Sequence, residues 1–483
     1  MINDGYYSGK YAGSDSYDAS WREPYFEALR IEAGADAEAE KIVDALKKMY
    51  SMYTDDLIKW YANLYDPGTG AYYCSTSGKE NEGFWPDIES TRQALNFLEN
   101  SGLLDHVGAD FRNILTDEMK KKLIIFAKGM QRPNGYFYNY LKTEEEMDGP
   151  SGISKRGREL GWCTGILDYL GDAPTYDTPN GFRGNGLDKY GNPVEDFVPT
   201  SSDKGKSAPA SSNYPEYLEN KETMLAYLNE KIDIVNKTYP AGNQLNATCG
   251  QYKARDVALG TFGTEESMCK ALIEWLNERI NPDSGFWAPD ISFNGANGFF
   301  KVIGLYNGWG FAYPAIERAI ESILEVILSD TPSLNNICEV YNLWSGLISA
   351  KKNVILCYPE GEKEKILAKI EKTMKERGPE AILNTYKKQS GYQKADGAYA
   401  HAVTRGNDPT KIVHHHGGIP TGLCLEEGDV DAIGKATTGI IGNILSAYGF
   451  KSKLPIYCKR DWELYKSILD NAKPVVKNTK PLR

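Results

Sequence analysis

The chain has 483 residues, 41% of them hydrophobic and 12% aromatic with 32 tyrosines, a composition that builds a substantial core and excludes intrinsic disorder. A net charge of −11 and the lack of long Lys/Arg runs argue against nucleic acid and anionic membrane as partners. Residues 1–22 are polar and rich in Tyr, Gly and Ser, without the basic start and apolar core of an export signal, and no later run is apolar enough to span a bilayer, so the expected location is cytoplasmic.

The eight cysteines are scattered, with no C-x-x-C pair and no Cys/His spacing that suits zinc, and are expected to be free thiols in a reducing compartment. The sequons at Asn236 and Asn246 then read as chance matches. No dinucleotide or P-loop fingerprint is present, and neither a cofactor nor a metal ion is expected.

In chain order, helical periodicity runs over residues 38–65, 88–99, 116–130, 222–237, 264–279, 313–328, 335–352, 363–388 and 431–448, while period-two stretches are few and short. This predicts an all-α protein. Between helices a turn recurs that ends in glycine followed by aromatics: residues 66–73, 132–138, 281–287 and 395–399. A related phrase, Gly-Phe-Trp followed by an Asp-Ile pair, occurs at 83–88 and 285–291, as degenerate helical-hairpin repeats would produce. The expected organisation is an N-terminal arm (1–35), one domain (36–472) and a basic tail (473–483). Within the domain, residues 172–217 are rich in Pro, Gly, Ser and Asp, and are expected to form a loop lid over one mouth.

At 123–137 an apolar helix ends in Gln131 and a Gly135-Tyr136-Phe137 turn, which resembles the repeat of the α/α-toroid superfamily, as in terpenoid cyclases and protein prenyltransferases. The other turns extend a weaker likeness over roughly residues 60–450. The resemblance implies an (α/α)6-type toroid with a long loop insertion. It does not fix the reaction. The acidic motif of class II cyclases has at best the remnant Asp429-Val430-Asp431 here, without the final carboxylates. In its aromatic, Asn- and Gly-rich loops the chain looks more like the toroidal polysaccharide lyases, glycoside hydrolases and sugar epimerases.

Four of the five histidines (His401, His414, His415, His416) fall within sixteen residues, in a stretch that also holds Tyr399, Arg405 and Asn407. A neutral His or activated Tyr can move a proton near neutral pH, and Arg or Asn can hold a carboxylate, which is what a uronate lyase requires. Tyr399 and His401 would share a face of an extended segment. Three adjacent histidines also raise a metal site with Glu426, Glu427 or Asp429, although adjacent residues rarely all reach one ion. A second constellation sets carboxylates beside tryptophans: Asp87 and Glu89 after Trp85, and Asp290 after Trp287. Asp87 and Asp290 could serve an inverting glycosidase if they met across a cavity, or could each cap a helix. Tyr306, Trp309 and Asn342 complete the candidate saccharide contacts. The expected function is cleavage of an oligo- or polysaccharide by a lyase-like route. The alternatives are an inverting glycoside hydrolase, a terpenoid-cyclase-like isomerase and a non-catalytic glycan-binding protein.

Overall fold

The computed structural model describes residues 16–140, 142–197, 214–330, 336–401, 414–415, 419–420 and 427–478. These are overwhelmingly helical. The first half of the chain forms α1 (Glu23–Glu32), α2 (Ala37–Tyr50), α3 (Asp55–Ala62), α4 (Thr76–Glu80), α5 (Ile88–Asn100), α6 (Asp117–Gly129), α7 (Glu144–Asp148), α8 (Ile153–Tyr169) and α9 (Lys221–Lys231). The second half forms α10 (Thr238–Leu259), α11 (Met268–Asn277), α12 (Phe293–Trp309), α13 (Ile316–Leu328), α14 (Cys338–Cys357), α15 (Glu360–Ser390), α16 (Val430–Gly434), α17 (Ile440–Tyr448) and α18 (Lys459–Asn471). A π-helical turn over Lys435–Gly439 joins α16 to α17. The strands among the described residues are two-residue hairpin arms, β1 (Tyr65–Asp66) with β2 (Ala71–Tyr72) and β3 (His414–His415) with β4 (Ile419–Pro420).

Side-chain caps start most of these helices: Asp36 for α2, Asp87 for α5, Thr116 for α6, Asn220 for α9, Ser267 for α11, Ser292 for α12 and Asp429 for α16. Helix α5 packs on α8, α8 on α10, α10 on α12, α12 on α14 and α14 on α17, and α16 returns to α5. Around this closed cycle lie α6 on α8, α11 on α10, α13 on α14, α15 on α14 and α17, α2 on α15, and α3 on α18. Where α8, α10 and α12 meet, glycine brings backbones close: a Cβ at Gly157 would stand 2.2 Å from the Ala247 carbonyl oxygen, and one at Gly298 2.2 Å from Thr238 Cγ2.

The recurring turns lie between α3 and α5, α6 and α8, α11 and α12, and α15 and α16. Each places its glycine at positive φ (Gly70 +74°, Gly135 +82°, Gly285 +70°, Gly397 +82°). Gln131 and Gln393 play the same part in two of them. Each pairs through its backbone with an aromatic (Phe137, Tyr399) and donates its side-chain amide to the turn glycine's carbonyl at 3.3 Å.

The helix expected over 38–65 is two helices, broken between Tyr50 and Asp55. At this break the buried Arg22 guanidinium donates to the carbonyls of Tyr50 and Tyr53 at 3.1 and 3.0 Å, and Tyr53 N turns back to Tyr50 O at 3.1 Å. The expected N-terminal arm contains α1, which packs on α2 and buries Phe26 and Leu29. In the expected lid, residues 173–187 form tight turns pinned to Gln131, whose side-chain oxygen accepts from Thr175 N (2.7 Å) and Tyr176 N (3.1 Å). Residues 198–213 lie outside the described residues. No disulfide joins the described cysteines, and no described helix is long and apolar enough to cross a membrane.

Candidate functional site

Helices of the α5–α8–α10–α12–α14–α16 series contribute polar side chains that interact with one another. Glu89 and Gln93 come from α5, Lys155, Arg158 and Glu159 from α8, Tyr239 from α10, Asn297 and Lys301 from α12, Cys338 and Asn342 from α14, and Asp431 and Lys435 from α16 and the turn after it. The repeated spacing of four residues puts each pair on one helix face. His401 is supplied by the turn before α16.

Arg158 forms an ion pair with the buried Glu89, and Lys155 one with the buried Glu159 at 2.8 Å. Asn139 donates to Glu159 at 3.2 Å. Asp431 sits at the centre. Its Oδ1 accepts from Gln93 Nε2 at 3.2 Å and pairs with Lys435 Nζ, while its Oδ2 lies 3.4 Å from His401 Nδ1. Asp429 fixes the His401 backbone, accepting from its N–H at 2.6 Å while capping α16 through Ala432 N at 2.9 Å. Cys338 hydrogen-bonds the Tyr239 hydroxyl, and the Lys301 ammonium lies 5.9 Å from the Tyr239 ring centre. Asn297 Oδ1 and Asn342 Nδ2 are buried without a hydrogen-bond partner among the described residues, an unusual state that a bound water or ligand would relieve.

Burial first, then the positive Arg158 and Lys435, bring Lys301 down to about 8 against the opposing pull of Cys338 and Asp431. Burial holds Tyr239 well above its usual range, and pushes the Cys338 thiol up to about 11. Asp87 and Asp429 are both raised to about 6, again chiefly by burial. A cavity of about 640 Å³ reaches the cluster at Gln93 and Lys435, between α5 and the α16–α17 segment, and a second of about 380 Å³ touches Arg158 between α8 and α10.

Of the residues singled out by sequence, the structure brings His401 into this cluster, with Asn342 on the Cys338 face of α14. Asp87 stands beside it, buried, capping α5 through Ser90 N at 2.8 Å. Tyr399 is fully buried with its ring 6.4 Å from that of Tyr53. As the bridging aromatic of its turn it packs into the core. Asp290 is exposed ahead of Ser292, the cap of α12, so the two carboxylates expected to face each other occupy opposite settings. Trp287 is a core residue, packed on Phe299 and Tyr313 with Nε1 donating to Leu276 O at 2.9 Å. Tyr306 is buried and donates to Asn277 Oδ1 at 2.7 Å. Trp309 is half-buried against Tyr252, and Trp85 is half-buried before α5. His415 lies on β3, opposite Ile419; its side chain, Arg405 and Asn407 fall outside the described residues.

Sequence reasoning missed Arg158, Tyr239, Lys301, Cys338 and Lys435. For Lys301, Cys338 and Lys435 the available signal was the four-residue spacing of polar pairs, at 297/301, 338/342 and 431/435. Cys338, His401 and Asp431 also place one potential metal-donor atom each within 4.8 Å of one another. They come from three separate segments, so linear spacing hides them. No family model and no curated protein matches the chain.

Proposed function

We propose that the chain is an (α/α)6 toroid that cleaves a uronate-containing glycan by β-elimination at the mouth where its inner helices begin. The carrying observation is the placement of Lys301 over Tyr239 beside Arg158 within this convergent cluster. The closed helix cycle and the helices packed on it support the toroid reading. Six helix N-termini and the cations Arg158, Lys301 and Lys435 favour an anionic ligand.

In the proposed reaction Arg158, oriented by Glu89, holds the sugar carboxylate and spreads the charge that develops beside it. The neutral Lys301 amine takes the proton from the adjacent carbon, the electron pair of that C–H bond forms a C=C bond, and the glycosidic C–O bond breaks as Tyr239 protonates the departing oxygen. Proton return from Lys301 to Tyr239 through solvent resets the site. An inverting hydrolase would need a second carboxylate across from Asp87, a place that the exposed Asp290 does not fill.

The test is a panel of uronate-containing and neutral glycans, with ultraviolet absorbance of unsaturated uronates and reducing ends followed together. Absorbance should rise with reducing ends, and Lys301→Met and Tyr239→Phe should each lower kcat by about 10²–10⁴-fold. Reducing ends without absorbance, or full activity of Lys301→Met, would overturn the reading.

A further inference from the structure

We infer that Cys338, His401 and Asp431 form a three-ligand zinc site at the mouth of the helix cycle. The inference stands apart from the elimination reading, because metal binding is measured without substrate.

Three observations carry it. The donor atoms, one thiol sulfur, one imidazole nitrogen and one carboxylate oxygen, all buried, lie within 4.8 Å of one another. This set of one soft, one borderline and one hard donor suits Zn²⁺ better than the hard cations, which take oxygen ligands throughout. The 3.4 Å between His401 Nδ1 and Asp431 Oδ2 is long for a hydrogen bond. It matches the edge of a tetrahedron whose metal–ligand bonds are about 2.1 Å, the usual Zn–N and Zn–O length. Finally, the ligands are oriented from behind, as metal ligands require. The second oxygen of Asp431 is held by Gln93 and Lys435, and the His401 backbone is fixed by Asp429. Cys338 opens α14 and Asp431 lies in the first turn of α16, so rigid helices position two of the three donors.

Three protein ligands leave the fourth tetrahedral position for water or a substrate atom. Lys301, Lys435 and Arg158 around that position select an anionic oxygen ligand, such as a carboxylate.

The experiment uses the full-length chain, stripped with chelator and titrated with Zn²⁺ and, separately, Co²⁺. One equivalent of zinc should bind, and the cobalt adduct should show a strong thiolate-to-metal charge-transfer band in the near ultraviolet. Cys338→Ser should abolish that band with the far-ultraviolet circular dichroism unchanged, and Asp431→Asn should weaken zinc binding at least tenfold. Cys357→Ser, at the far end of α14, should leave both readouts unchanged. Absence of stoichiometric zinc binding by the unaltered chain would overturn the inference whether or not the variants fold. So would a cobalt adduct without the thiolate band, the result expected if the ion sat on His414–His416.

Discussion

At the scale of single residues, Asp87 shows how a cap and a buried charge pull against each other. One oxygen caps α5 through Ser90 N, while the other is buried without a hydrogen-bond partner among the described residues. Burial therefore raises its pKa from 3.8 to about 6. A carboxyl group whose pKa is higher folded than unfolded favours the fold most fully below the unfolded value, and that contribution is lost as pH rises through the folded one. The interval from 3.8 to about 6 corresponds to at most about 3 kcal/mol. Asp87→Asn keeps an oxygen for the cap and removes the charge, so it should be more stable than the unaltered chain at pH 8 by up to that amount. The advantage should shrink to near zero at pH 4. Urea unfolding of both proteins at pH 4, 6 and 8 measures this; an offset that does not change with pH would mean that the buried charge is not its source.

At the scale of helices, two glycines one turn apart on α8 are in opposite situations. A Cβ at Gly157 meets the Ala247 carbonyl at 2.2 Å, whereas one at Gly161 meets nothing within 4 Å. Gly157→Ala must push α10 away and should cost about 1–3 kcal/mol. Gly161→Ala relieves only the entropy of a helical glycine and should stabilise by about 0.5–1 kcal/mol. Thermal unfolding of the two variants should shift in opposite directions, and shifts of the same sign would show that α8 and α10 do not pack through Gly157. The same glycines explain which helices the sequence displayed. Those with an apolar stripe and a polar face, such as α6, α11 and α13, stand out by period. Helices α8, α10 and α12 pack on one another and also carry buried polar residues, and their glycines erase the stripe, so all three escaped notice along with most of the site. His401 was legible because histidines are scarce, and Asn342 because it sits among aromatics. Trp287 and Tyr306 looked like sugar platforms because composition alone does not separate a core aromatic from an exposed one.

For the whole molecule, the decisive contacts are those that join the two ends of the chain. Arg22 donates to Tyr50 O and Tyr53 O at 3.1 and 3.0 Å and to Ile456 O at 2.6 Å, with its guanidinium also over the rings of Tyr17, Trp21 and Tyr50. Close by, Ile456 N and Tyr457 N both donate to Ser101 O at 2.9 Å, and α18 packs on α3. The turn repeats were visible in sequence, but this fastening was not, because it depends on one arginine and a backbone carbonyl 434 residues away. An open stack of helical hairpins would unfold piecemeal from its ends, since each repeat touches only its neighbours. A cycle fastened at its seam should unfold as one unit. Arg22→Met leaves three buried carbonyls short of a donor and should destabilise the fold by about 2–5 kcal/mol. If the cycle is a single cooperative unit, calorimetry of this variant will show one transition moved to lower temperature, its calorimetric and van't Hoff enthalpies still equal. A separate early transition, with circular dichroism reporting loss of only the terminal helices, would show instead that the repeats stand without their seam.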